Sequence, residues 1–215
     1  MTKAKTFRDW TRQDLANEFG LRVKRDCEVL NNWLDVKEIT LEENENTALL
    51  QLQERLIKYV DIWNEQELII KFISHIIVMV DYDTDEYKSF ANRKLRAVIN
   101  EKEIGGEVDL MIAEGEFEPQ SPYFCLHEYK KERGIDNDPL GQLLITMMVA
   151  RALNGDEKPV YGAYIFGRNW FFLTLIGNKY CISNEYVATR DDIFDILKIM
   201  KKLKMLINER NTSLA

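Results

Sequence analysis

The order and texture of the apolar segments predict an α/β fold, with α and β elements partly segregated as in α+β proteins. A mixed central sheet is flanked by helices on both faces. Three observations carry this. Strand-like runs stand on both sides of a helical run. Helical patterns open and close the chain. The 215 residues are enough for one full core and too few for two comfortable ones. The expected arrangement is a single domain: a helical N-terminal extension over residues 1–60, then a core over residues 61–215 that includes a C-terminal helix.

Residues 7–34 show helical spacing in two pieces broken near Gly20. Trp10, Leu15 and Phe19 mark the first piece; Val23, Val29, Leu30, Trp33 and Leu34 mark the second. Asn44-Glu45-Asn46 offers an N-cap to the longest helical pattern, which runs to about residue 80 with a bend near 61–64. Its second half (Leu68, Ile69, Phe72, Ile73, Ile76, Ile77) is apolar on nearly every side and is expected against the sheet. Residues 81–89 are a polar break. The acids at 81, 83 and 85 lack the central glycine and closing glutamate of a calcium loop.

Residues 93–100 alternate as a half-exposed strand does. Gly105-Gly106 is read as a tight turn into a strand that carries Asp109 among Val108, Leu110, Met111 and Ile112. Residues 118–122 are read as a loop, because Pro119 and Pro122 bar a strand there. A strand through Tyr123-Phe-Cys-Leu-His-Glu-Tyr-Lys130 follows. Asp138 and Pro139 open the next helix as cap and first residue, and Asn154-Gly155 ends it. Strands over 160–166 and 170–176 are joined by Gly167-Arg168-Asn169. A short strand over 180–182 and a helix over 191–210 close the chain.

With 29 basic and 36 acidic residues, the net charge is −7. No global field draws this chain onto nucleic acid, so binding there needs a local patch or a metal ion. Cys27, Cys125 and Cys181 form neither a disulfide framework nor a zinc pattern. The first ten residues lack an apolar signal core, and the best apolar run, 72–80, is too short to span a bilayer. A cytoplasmic protein is expected, with no membrane partner.

The chemistry concentrates at Asp109, Glu128 and Lys130. The strand period of two puts Glu128 and Lys130 on one face with Tyr129 opposite, and a paired neighbouring strand brings Asp109 to the same place. Two carboxylates and an ammonium at a sheet end compose a magnesium (or manganese) phosphodiester-cleaving site. Asp109, Glu128 and the Tyr129 carbonyl would supply oxygens, and Lys130 would orient water or stabilise developing charge. Lys131, Arg133 and Arg168 are the cations expected near the mouth, for phosphate contact. His127 and His75 read as structural. Glu86-Tyr87-Lys88 repeats the Glu-x-Lys text but lies in a polar stretch with no strand apparent. Glu128 and Lys130 also suit a plain same-face ion pair. Convergence of Asp109, Glu128 and Lys130 within metal-coordinating distance in an open cleft is what the metal site requires; if they are splayed apart or buried in a closed ion pair, the nuclease reading fails.

Asp109 followed by Glu128-x-Lys130 on the next strand resembles the motif of the PD-(D/E)XK, or restriction-endonuclease-like, nucleases, and the element order over residues 64–166 is similar to their core. Residues 123–142 look like an uncharacterised bacterial branch with no known substrate. The resemblance implies that Glu67, an acid on the helix before the sheet, joins the metal ligands, and that Gln142, in the first turn of the following helix, assists. It implies a magnesium-dependent nuclease acting on nucleic acid, DNA first. The competing expectation is a nuclease-like fold used without catalysis as an interaction or scaffolding module. A homodimer through the edge of the 170–176 strand or the N-terminal helices is compatible with the pattern.

Overall fold

The computed structural model describes residues 5–134 and 138–212. After a 3-10 turn at Phe7–Asp9 come α1 (Arg12–Phe19), β1 (Arg22–Val23), α2 (Glu28–Leu34) and α3 (Glu43–Tyr59). α4 (Glu65–Leu68) passes through a π-helical turn, Ile69–Ile73, into α5 (Ser74–Val80). Then follow β2 (Tyr87–Ile99), β3 (Lys102–Glu114), β4 (Gln120–Lys130), α6 (Pro139–Asn154), β5 (Val160–Phe166), β6 (Asn169–Ile176), β7 (Lys179–Ile182), β8 (Tyr186–Val187) and α7 (Asp192–Thr212).

The strands form one mixed eight-stranded sheet in the order β1-β7-β6-β5-β4-β3-β2, with β8 pairing β6. β2, β3 and β4 are an antiparallel meander. α6 then carries the chain across to β5, which runs parallel to β4. Helices cover both faces. On one, α2, α3, α4, α5 and α7 bury Trp33, Leu56, Phe72, Ile76 and Met200. On the other, α1 and α6 bury Leu15, Leu143, Met147 and Leu126.

The local signals that formed these elements are those of capping and spacing. Gly20 ends α1 in the left-handed conformation, where the break is expected. The Asp138 side chain accepts from Gly141 N at 3.1 Å, Pro139 takes the first turn of α6, and Gly155 ends it.

Several elements differ from the reading of the sequence. Gly105 and Gly106 are not a turn. They lie inside β3, and the hairpin turns at Asn100-Glu101, both at positive φ (50° and 63°). β4 begins at Gln120 and contains Pro122, so the proline does not bar it. β2 begins at Tyr87, so Lys88 does lie on a strand. Glu42, not Asn44, caps α3. The apolar helix does not bury all its sides: Ile70 and Val78 are 64% and 75% exposed, and His75 is also exposed. The 170–176 strand is no edge, because β5 lies on one side and β7 and β8 on the other. The first sixty residues are mostly helical but do not stand apart from the sheet. β1 adds a parallel strand to β7, and the Trp33 indole donates to the Ile199 carbonyl at 2.9 Å while meeting Tyr161 and Phe172 edge-on.

The start of α6 abuts the Trp10–Arg12 backbone. A Cβ at Gly141 would stand 2.7 Å from the Trp10 carbonyl oxygen and 2.8 Å from Arg12 N. Main chain cannot step aside as a flexible side chain can, so Gly141→Ala is expected to destabilise by about 1–3 kcal/mol. Thermal melts should show this as a fall in Tm of roughly 3–10 °C.

Candidate active site

The site is built where β3 and β4 separate. Their last register pair at this end is Leu110 with His127. Beyond it the Asp109 carboxylate replaces main-chain pairing and accepts from Tyr129 N at 2.7 Å. Glu128 and Lys130 follow on β4, two residues apart and therefore on one face. α6 covers that face: a Cβ on Gly162, the register partner of Leu126, would meet Met147 and Leu143 of α6.

Lys130 Nζ gathers the oxygens. Glu128 Oε1 stands 2.5 Å from it, the Tyr129 carbonyl accepts at 2.9 Å, and Glu65 Oε2 lies at 3.5 Å. The Glu128 contact is an ion pair. The pair is nearly closed, with side-chain exposures of 15% for Lys130 and 3% for Glu128.

Electrostatically the site is overloaded with acid. Burial pushes Glu128 up to about 8, the neighbouring Asp109 adds to this, and Lys130 opposes it. Burial also raises Asp109, against the pull of the Tyr129 N–H and Lys130. Burial alone would lower Lys130, but Glu128, with Glu65 and Asp109, holds it above its ordinary value. One ammonium thus faces three acidic side chains. Arg8, exposed on the N-terminal turn, adds a positive charge felt at Asp109.

Asp109, Glu128, Lys130 and the Tyr129 carbonyl come together as the motif anticipates. Glu67 does not join them: it closes a capping box with Asn64 and pairs with Lys71 at 2.7 Å. The acid that reaches the site from the same helical turn is Glu65. The sequence held a signal for this, since Asn64-x-x-Glu67 is a capping-box pattern that consumes Glu67 and leaves Glu65 free to point inward. Gln142 is buried in the first turns of α6, and its carbonyl accepts from Thr146 Oγ1 at 2.8 Å. Glu107 is exposed. His127 is buried, with Nδ1 2.9 Å from the Tyr129 hydroxyl.

Two of the three cations assigned to phosphate are already engaged. Arg168 Nε bonds Glu132 at 2.7 Å, and Arg168 and Arg133 share Asp61 Oδ1 at 3.1 and 3.3 Å. Lys131 is exposed and meets no carboxylate at ion-pair distance among the described residues. No family model and no curated protein matches the chain. No helix among the described residues is long and apolar enough to cross a membrane.

The donor set of carboxylates and a carbonyl suits a hard divalent cation. The buried Glu128 carboxyl, crowded by Asp109 and met by a single ammonium, fits such an ion. Among the described residues no three acidic, histidine or cysteine side chains are already grouped for metal. The ammonium of Lys130 holds the centre of the oxygens instead.

Glu128 has a folded-state pKa near 8 against an ordinary 4.5. Between those values the folded chain binds a proton that the unfolded chain lacks, so this group's contribution to stability falls as pH rises from about 4.5 through 8. Glu128→Gln mimics the protonated form. Its Tm should match wild type near pH 5 and exceed it above pH 8, by on the order of 10 °C. A difference independent of pH would contradict the shift.

Proposed function

We propose that this chain is a metal-dependent phosphodiesterase of restriction-endonuclease-like fold that hydrolyses nucleic acid, with DNA the first substrate to test. The observation that carries the reading is the convergence of Glu128, the Tyr129 carbonyl and Glu65 on one cation position, with Asp109 beside it. The antiparallel β2–β3–β4 meander, followed by a helical crossover to a parallel β5, supports the fold assignment.

A bound magnesium or manganese ion would neutralise phosphate charge and acidify a bound water. Asp109, Glu128 and the Tyr129 carbonyl would hold it, with Glu65 as the further acid. Glu128 would have to give up its proton to hold such an ion, because burial and the charge of Asp109 raise its pKa. Lys130, released from those oxygens, would turn its ammonium to the phosphate, to stabilise developing charge or orient the attacking water. Asp109 keeps the Tyr129 main chain, and with it that carbonyl, in place through the N–H bond.

A second reading is an interaction module with no catalysis. The closed Glu128–Lys130 pair and the engagement of Arg133 and Arg168 by Asp61 and Glu132 favour it.

Magnesium titration by calorimetry separates the two. Wild type should bind with proton release, more tightly as pH approaches 8, and Asp109→Ala with Glu128→Ala should not bind. Labelled DNA and RNA strands should be cut by wild type, and at least about 100-fold more slowly by Lys130→Met. No metal binding, even with a short DNA present, would leave the module reading.

A further inference from the structure

The face of the sheet that carries Glu128 and Lys130 continues onto the next strands as a row of aromatic rings. In the parallel pairing of β4 with β5, Glu128 stands beside Tyr164 and Lys130 beside Phe166. Register partners point to the same face, so both rings share the carboxylate's side of the sheet. β6 adds Phe171, the partner of Tyr164. Ring centroids are 5.9 Å apart for Tyr164–Phe166, 5.7 Å for Tyr164–Phe171 and 6.5 Å for Phe166–Phe171. The corresponding planes lie within 22°, 19° and 3° of parallel. In the core, by contrast, Trp33, Phe72 and Tyr87 make edge-on contacts. All three rings of the row keep part of their surface in solvent. The Tyr164 hydroxyl is pushed up to about 12, by burial and then by the charges of Asp138 and Glu128, which places it next to the site.

We propose that this row is a stacking platform for the bases of an unpaired nucleic-acid strand, with the adjoining phosphate at the Asp109–Glu128–Lys130 centre. The proposal rests on the nuclease reading and names its substrate class: single-stranded rather than duplex. Every base has a π-face that can lie on an aromatic ring, whatever its sequence. Bases in a duplex are stacked on one another, and their faces are closed to such a ring. Neighbouring strands are about 4.8 Å apart, so the ring row adjoins the carboxylates directly.

The charge balance leaves little affinity to come from phosphate contacts alone. The chain carries a net charge of −7, and Arg133 and Arg168 are held by carboxylates. A groove that tracks phosphates with many free cations is therefore absent among the assigned residues. Stacking supplies binding energy that does not depend on net charge, and the exposed Lys131 and Arg8 remain for the phosphates beside it.

The test reads binding without cleavage. A fluorescein-labelled 12-nucleotide single strand, and the same strand annealed to its complement, are titrated with protein in EDTA and followed by anisotropy. Wild type should bind the single strand at least about tenfold more tightly than the duplex. Phe166→Leu with Phe171→Leu keeps apolar volume and should lose about 10- to 100-fold on the single strand, with little change on the duplex. Phe166→Trp should retain the affinity, and its added fluorescence should be quenched as bases stack. Equal binding of strand and duplex, no binding of the single strand, or an unchanged double variant would overturn the platform. Loss of single-strand binding in the double variant, in a protein that cuts nothing with magnesium, would uphold the platform and sink the nuclease. Magnesium-dependent cutting that the double variant leaves unchanged would do the reverse.

Discussion

Two carboxylates share the separated end of β3 and β4 with one ammonium, and the local architecture follows from keeping them there. Asp109 is fixed by the Tyr129 N–H. Glu128 is buried under the layer that α6 forms. Removing such groups from water costs several kcal/mol per ion unless they are paired. Lys130 supplies the pairing and also reaches the Tyr129 carbonyl and Glu65. The raised values of Glu128 and Asp109 mark what that single ammonium leaves uncompensated.

Lys130 therefore stands where the proposed divalent ion would stand. An ammonium meets the same oxygens with one positive charge, whereas a divalent ion brings two. On the proposed function, the lysine would stabilise the acids in the metal-free chain and would be released to the phosphate when a metal replaced it. The same economy of charge appears at the mouth, where Asp61 and Glu132 occupy Arg133 and Arg168. It also bears on the proposed platform of Tyr164, Phe166 and Phe171, because stacking on rings would add affinity for bases that phosphate contacts do not supply.

Much of this was legible in the sequence because the signals are local. The cap at Asp138, the stop at Gly155 and the alternation that puts Glu128 and Lys130 on one face need no tertiary information. The errors arise where neighbours decide. Gly105 and Gly106 look like a turn, yet β2 holds them in a strand opposite Arg96 and Leu95, and Phe7 packs so tightly on Gly106 that a Cβ would stand 2.6 Å from its ring. Pro122 sits in β4 where pairing with β3 is already irregular, next to the register shifts around Ala113. Glu67 and Glu65 are two residues apart on one short helix, and only the capping box tells them apart. That Arg133 and Arg168 are engaged was invisible, because Asp61 is distant in sequence from both. The stacked row lay hidden in plain apolar strands, since neither register nor ring orientation can be read from residue type.

The most direct measurement of the central claim is magnesium affinity in Lys130→Met at pH 8, by calorimetry. If the ammonium holds the cation's place, removing it removes a competitor and a repelling charge, and the variant binds magnesium at least about tenfold more tightly than wild type while folding less stably in EDTA. If Lys130→Met binds magnesium no better than wild type, or loses binding, then the oxygens around Lys130 are an ion-pair network and not a metal centre.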